Sequence, residues 1–364
     1  MANITAQQVK ELREQSGAGM MDCKKALVEC DGDMAKAMDY LKEKGFAKAA
    51  KKAGRIAAEG LVRIALSEDQ KTAALVEVNS ETDFVSKNPE FVAFVEDMAK
   101  LALTAESNDM EAFKALSFEG ATVNDALTAK IAKIGENLSI RRIEKVSGDL
   151  LATYIHGGGR IGVVVVGSGD TSDAAKAALV NVAMQVAAMN PQYVNRNEIS
   201  AEELEKMRAI TVESSLNDPF SLPKPMLNEL LNKAVAGVWG AEDVAVLEEK
   251  RADSKFNFNF LPNFLSEDAK AKLAQLSVAA RDAIVDNKIF TGMIEGRIAK
   301  QLKEICLLDQ TYVRAEDGKQ TVSQYLASVN KDLSLVKVVR FEVGEGIEKK
   351  EENFAEEVAK QMNV

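Results

Sequence analysis

The chain has 364 residues, 46% hydrophobic and 28% charged, with 46 Lys and Arg against 56 Asp and Glu for a formal net charge of −10. These proportions belong to a folded chain of about two to three domains and exclude wholesale disorder or a fibrous repeat. The negative balance repels a phosphate backbone, so no direct nucleic-acid partner is expected. No apolar run reaches the roughly 20 residues of a membrane span, the longest being the strand-sized Ile161 to Val166. The start, MANITAQQVK, carries a helix cap and no apolar targeting segment, so a cytoplasmic protein without a signal peptide is expected. Cys23, Cys30 and Cys306 form neither a metal spacing nor an even disulfide framework, and His156 is the single histidine. Neither a metal nor a cofactor is therefore expected.

Residues 1 to 55 read as three short helices. Thr5 with Gln8 is a capping box that Ile4 and Val9 staple, and Leu12 and Arg13 continue the helix to Ser16 and Gly17. Asp22 is expected to cap a second helix with Ala26, Leu27 and Cys30 inward, and Asp33 a third that Gly45 ends. The basic stretch Lys48 to Arg55 reads as a solvated linker helix. From 56 the period shifts to strands: Leu61 to Leu66 and Thr72 to Val78 form a hairpin about Glu68 to Lys71. Asn88-Pro89-Glu90 then starts a helix whose buried stripe is Phe91, Val92, Val95, Met98 and Leu101. A second helix covers Val123 to Ile134, and the strand-like runs 138–146, 150–156 and 161–166 predict an antiparallel meander.

Residues 171 to 189 predict an apolar-faced helix, and 198 to 308 read as almost entirely helical. Leu227, Leu230, Leu231 and Val235 share one face, as do Leu273, Leu276, Ala280 and Ile284, which suggests antiparallel helical hairpins. Between them Phe256, Phe258, Phe260 and Phe264 alternate with Asn as a short strand would, limited by Pro262, and read as a packing or partner surface. A strand over 335–343 and an amphipathic helix over 351–362, with Phe354 and Val358 on one side, complete the chain.

Motifs for chemistry are sparse. His156-Gly157-Gly158-Gly159 matches the oxyanion-hole string of esterases, but no GxSxG nucleophile elbow and no second histidine accompany it, so it reads as a strand-to-strand turn. Gly167-Ser168-Gly169 lacks the third glycine of a dinucleotide turn, and no GxxxxGK[ST] is present. In Ser80-Glu81-Thr82-Asp83-Phe84-Val85-Ser86-Lys87, local features favour Phe84 as core and Asp83 as a cap.

The strings ITAQQVKELREQSGAGMMDCKKAL, VNSETDFVSK, KIGENLSIRR, YIHGGGRIGVVVV and VRFEVGEGIEKKEENFAEEVAKQ, in that order along the chain, resemble bacterial translation elongation factor Ts. The resemblance implies an α+β fold: a UBA-like three-helix module at 1–55, a core of two subdomains with antiparallel sheets at 56–148 and at 149–197 with 289–343, a helical, coiled-coil-like insertion at 198–288, and a C-terminal module with its helix at 344–364. It implies a guanine-nucleotide exchange factor, not an enzyme, that binds the GTPase elongation factor Tu with GDP, displaces Mg²⁺ and GDP, and lets GTP enter. Thr82, Asp83, Phe84 and Val85 would be the segment that dislodges Mg²⁺, with Phe84 wedged between partner helices. Met20, Met21, Lys24, Ile134, Gly135, His156 and Phe354 would bind the partner, and the helical region could join two copies. The chain has Ser86-Lys87-Asn88 where family members often have AKD, and its Phe-rich stretch from 216 to 288 enlarges the family's dimerisation region. An acyl hydrolase built on HGGG and a polypeptide-binding module built on the first three helices are the competing readings.

Overall fold

In the computed structural model, which describes residues 4–348, the chain starts with α1 (Ala6–Ser16). The Thr5 hydroxyl accepts from Gln8 N at 3.2 Å and Gln8 Oε1 from Thr5 N at 3.0 Å, the expected capping box. α2 (Met20–Glu29) is capped by Gly19, not by Asp22. Asp22 instead occupies the first turn, where the positive end of the helix dipole favours it, and pairs with Lys48 at 2.9 Å. α3 (Met34–Lys52) begins at Asp33 as expected but passes through Gly45. There the missing side chain brings α3 against its neighbour: a Cβ at Gly45 would lie 3.8 Å from the Ala132 methyl. Packing offsets the roughly 1 kcal/mol that a mid-helix glycine costs. Leu12, Cys23, Ala26, Leu27 and Ala37 form the small core of the three helices.

β1 (Glu59–Leu66) and β2 (Thr72–Ser80) pair antiparallel from Glu59↔Ser80 to Leu66↔Ala73. The connection after β2 holds α4 (Asp83–Ser86), α5 (Pro89–Ala102), α6 (Met110–Ala115), the two-residue strands β3 (Ser117–Phe118) and β4 (Ala121–Thr122), and α7 (Val123–Ile134). α6, β3 and β4 are too short for a periodic signal and have no counterpart in the sequence reading. β5 (Leu138–Ser147) then pairs with the free side of β2, giving the order β1-β2-β5. Asn88 caps α5 through Glu90 N at 2.9 Å. The buried face of α5 is Phe91, Phe94, Val95, Met98, Ala99 and Ala102, whereas Val92 and Leu101 are only half-buried, so the stripe is rotated from the one expected. With Val123, Leu127 and Ile131 of α7 it covers Ala74, Val76, Val78, Ile140 and Ile143 on one face of the sheet.

β6 (Leu150–His156) and β7 (Ile161–Ser168) form a hairpin, but the expected meander is not continuous, because β5 pairs with β2 and β6 opens a second sheet. The Gly148-Asp149 connection carries the chain from one layer to the next, so Val146 and Leu151 share a core between sheets rather than within one. α8 (Asp173–Met189), capped by Ser172, packs on β6 and β7.

Residues Pro191–Val322 form a unit of their own, with α9 (Ala201–Asn217), α10 (Lys224–Val235), α11 (Ala241–Ala252), α12 (Glu267–Ala279), α13 (Arg281–Val285) and α14 (Lys288–Ile305). Its core runs from Val212 through Leu231, Leu247 and Leu273 to Ile298 and includes Trp239, whose Nε1 donates to Ala269 O at 2.9 Å. Leu273 and Ile284 do not share one helix as expected: the Ala280 amide is split between the Leu276 and Ser277 carbonyls, and the helix tightens and restarts. Residues 258–263 form a 3₁₀ turn rather than a strand, opened by Asn257, whose side chain accepts from Asn259 N at 3.0 Å. Phe256 meets Phe258 and Phe264 edge-on, and the Lys250 ammonium stands 4.4 Å from the Phe264 ring centre. The chain returns through α15 (Val322–Val329) to β8 (Ser334–Glu342), which pairs with β7 and completes the order β6-β7-β8. The helix expected over 351–362, with Phe354, lies outside the described residues.

The two sheets enclose Val62, Leu75, Val146, Leu151, Val164 and Phe341. Alternation along β2 places Glu77 on this inner face with Ala73 and Leu75, fully buried. Its partners come from a β-bulge: Glu77 faces Arg142 and Val78 faces Ile140, leaving Arg141 as the extra residue. The bulge turns Arg141 and Arg142 both toward Glu77, at 3.1 and 2.6 Å, while Ile140 and Ile143 both keep to the helix-covered face. Glu77 Oε1 also accepts from Gly344 N at 2.8 Å, just past β8, and Arg142 lies over the Phe341 ring at 4.2 Å. One buried carboxylate thus joins both sheets.

Replacing Glu77 by Gln removes the buried countercharge that Arg141 and Arg142 share, leaving Arg142 only Glu345 at 3.2 Å, and should cost about 3 kcal/mol, read as a lower urea midpoint in far-ultraviolet circular dichroism. A loss below about 1 kcal/mol would mean that the apolar layer holds the sheets without it. Glu90 bonds Lys130 at 2.6 Å and Lys133 at 2.8 Å, and these bonds hold its carboxyl below the ordinary 4.5. A group whose folded value is depressed contributes stability above its unfolded value and loses it as pH falls through the folded one. Glu90→Gln should therefore lower the melting temperature at neutral pH and match the parent in acid; an equal difference at both would exclude the ion pairs as the cause.

Candidate functional site

The turn after β2 is built outward from the core. Val85 is buried with Val78 and Phe91, and Asn88 N bonds Val85 O at 2.9 Å, so α4 has four residues in which to turn before α5 begins. Phe84, about 100° round the helix from Val85, is thereby forced outward and is 80% exposed. This reverses the local expectation that Phe84 is core. Asp83 is not the cap but the first helical residue. It pairs with Lys87 at 2.6 Å, and that hydrogen bond holds its carboxyl below the usual aspartate value, so it stays ionised.

Thr82 stands at the N-cap of α4, yet its side chain makes no bond to that helix. Its hydroxyl donates to Glu136 Oε1 at 2.7 Å and its amide to Glu136 Oε2 at 3.0 Å. Glu136 reaches it because α7 ends at Ile134 and Gly135 takes the left-handed conformation (φ 89°), which turns the chain. The exchange is reciprocal: Glu81 Oε1 accepts from Asn137 N at 2.6 Å. Asn137 Nδ2 donates to Arg55 O at 2.8 Å, Arg55 pairs with Glu81 at 3.4 Å, and the Lys52 ammonium donates to Gly135 O. Three segments, 52–55, 81–85 and 134–137, therefore meet beneath Phe84. Ile134 is half-buried on the same core as Val85, and Gly135 is exposed.

The other residues singled out from the sequence do not join this cluster. Met20 and Met21 are 58% and 74% exposed at the start of α2, with Lys24 exposed beyond them and Val28 extending the open face. His156 is exposed at the end of β6, its Nδ1 3.0 Å from the Tyr154 hydroxyl. In the HGGG string the amides of Gly159 and Arg160 both donate to His156 O, and Gly159 O accepts from Val62 N at 2.7 Å. The string is a turn laid against β1, its glycines at positive φ. Sequence reasoning passed over Arg55, Glu81, Glu136 and Asn137, whose pairing spans segments 26 to 82 residues apart and leaves no local signal. Among the described residues, no three His, Cys, Asp or Glu side chains are placed to hold a metal ion, and no helix is long and apolar enough to cross a membrane.

A family model described as Elongation factor TS matches residues 81–345, which takes in the Phe84 turn and the Glu136 loop. The chain is 45% identical to Elongation factor Ts of Clostridioides difficile (strain 630) over 367 residues, covering 100% of each. It is 44% identical to that of Clostridium novyi (strain NT), covering 99% of each, and 41% identical to that of Clostridium tetani (strain Massachusetts / E88), again covering 99% of each. Matched across its whole length by these relatives, the chain belongs to the elongation factor Ts family.

Proposed function

We propose that this chain accelerates guanine-nucleotide exchange on elongation factor Tu by inserting Phe84 into that GTPase from a turn held by its own core. The exchange role in translation elongation follows from family membership, and a working place in the cytoplasm goes with it. The observation that supports the wedge is the exposure of Phe84 directly above buried Val85. A large apolar side chain left in water on a braced turn is a surface that gains free energy only when something covers it.

An exchange factor needs no nucleotide pocket and no proton-transfer group. It needs higher affinity for the nucleotide-free partner than for the GDP-bound one. The coupling is reciprocal, so the factor weakens GDP only as much as GDP weakens the factor. Burying one Phe supplies about 1.5 to 3 kcal/mol, roughly ten- to a hundredfold, whereas a nanomolar nucleotide is bound by about 12 kcal/mol. The remainder comes from a distributed grip, for which the exposed face of α2 with Met20, Met21 and Lys24, and His156 on its hairpin, are the proposed contacts. Within the turn, Thr82 and Val85 are anchors, whereas Phe84 and the ionised Asp83 are presented. Displacement of Mg²⁺ would follow from movement of the partner's own ligands as Phe84 enters.

Release of a fluorescent GDP from elongation factor Tu at fixed Mg²⁺, followed by stopped flow, tests the reading. The chain should accelerate release strongly, and Phe84→Ala should lower the saturating rate about ten- to a hundredfold while affinity for the nucleotide-free GTPase falls much less. Equal losses in rate and affinity would make Phe84 one contact among many.

A further inference from the structure

The Thr82–Glu136 pair breaks a local rule. A threonine at an N-cap ordinarily accepts from the second or third helical amide, which stabilises the helix by about 1 kcal/mol. In this chain the hydroxyl is turned away and bonds a carboxylate 54 residues distant. α4, at four residues, cannot sustain itself, since helix nucleation is unfavourable and even helices of about 12 residues are marginal alone. Its geometry is therefore imposed from outside, by Val85 below and by whatever fixes Thr82. Both Glu136 oxygens are engaged by Thr82, so this carboxylate acts on its surroundings through that residue.

We propose that Glu136, with Glu81 as its reciprocal partner, is a positioning residue for exchange: it fixes the Thr82 backbone so that Phe84 is presented in one orientation. The inference rests on the exchange reading above and adds to it the group on which the wedge depends. A wedge on an unfixed turn would still be buried on binding, but part of the free energy of burial would go into ordering the turn and would be lost to displacing the nucleotide. The Arg55 carbonyl and the Lys52 ammonium, bonded to Asn137 and Gly135, hold the same loop through its other residues, independently of the Glu136 side chain.

The test uses the full chain with Glu136→Ala, Glu136→Gln, Phe84→Ala and the double variant Glu136→Ala/Phe84→Ala. Saturating GDP-release rate, half-saturating concentration and hydrogen exchange at the Thr82 amide are measured for each. Glu136→Ala should lower the saturating rate about tenfold, or about 1.4 kcal/mol, with little change in the half-saturating concentration. Glu136→Gln should recover much of the loss, because its amide oxygen still accepts from Thr82 N. Against Phe84→Ala, removing Glu136 should cost nothing more, since a residue acting only through Phe84 has nothing left to act on. Losses that multiply in the double variant, full activity in Glu136→Ala, or a Thr82 amide as protected as before would each overturn the proposal. A parent chain that releases no GDP, while Glu136→Ala still frees the Thr82 amide, would overturn the exchange reading and leave the clasp standing.

Discussion

The α+β unit depends on one carboxylate placed where an apolar side chain would be ordinary. Glu77 sits between two sheets, and burying an ion there costs several kcal/mol unless its lone pairs are met. They are met by Arg141, Arg142, Asn79 and the Gly344 amide. Because the two arginines belong to β5 and Gly344 to the chain just beyond β8, satisfying the ion requires both sheets to be stacked in one register. An apolar residue at this position would tolerate sliding between layers, whereas an ion with directional partners does not.

The constraint has a second effect further along β2. Three residues beyond Glu77 the strand ends at Ser80, and the Phe84 turn begins. β2 is therefore pinned on its inner face by Glu77, on its helix-covered face by Val76 and Val78, and at its end by the Glu81 and Glu136 exchange. If Phe84 enters a partner as proposed, fixing it in this way shifts the cost of ordering from the moment of binding to the moment of folding. The exposed face of α2 and the His156 hairpin stand on other elements, so the proposed distributed grip would draw its rigidity from layer packing as well as from the clasp.

Much of the fold was legible because local signals agreed with it. The Thr5 and Gln8 box, the Asn88-Pro89 start of α5, the limits of α7 and the β1–β2 hairpin each follow from chemistry within a few residues. The errors occurred where contacts between distant segments decided the outcome. Gly45 is a local helix stop but in this chain a packing site against Ala132. Residues 138 to 156 read as consecutive strands of one sheet, yet the face-to-face burial of Val146 and Leu151 divides them between two. The segment around Phe84 was misread locally, because nothing nearby reports that Val85 takes the inward position, and only the resemblance to a known family pointed outward. Glu136 was visible as part of a motif, but its attachment to Thr82 depends on the left-handed turn at Gly135 and on the antiparallel course of two distant segments, continued from the Ser80↔Leu138 pair.

The single tryptophan of the chain, Trp239, lies in the core of the helical unit with its indole bonded to Ala269. Indole emission from this protein therefore reports the order of that unit alone, whereas the sheets and the Phe84 turn contain no tryptophan to report on them. Optical probes of unfolding will look at different bodies: emission at one, backbone dichroism at both. Transitions that fail to coincide would be the ordinary behaviour of a two-unit chain, and no partly folded intermediate need be invoked to explain them.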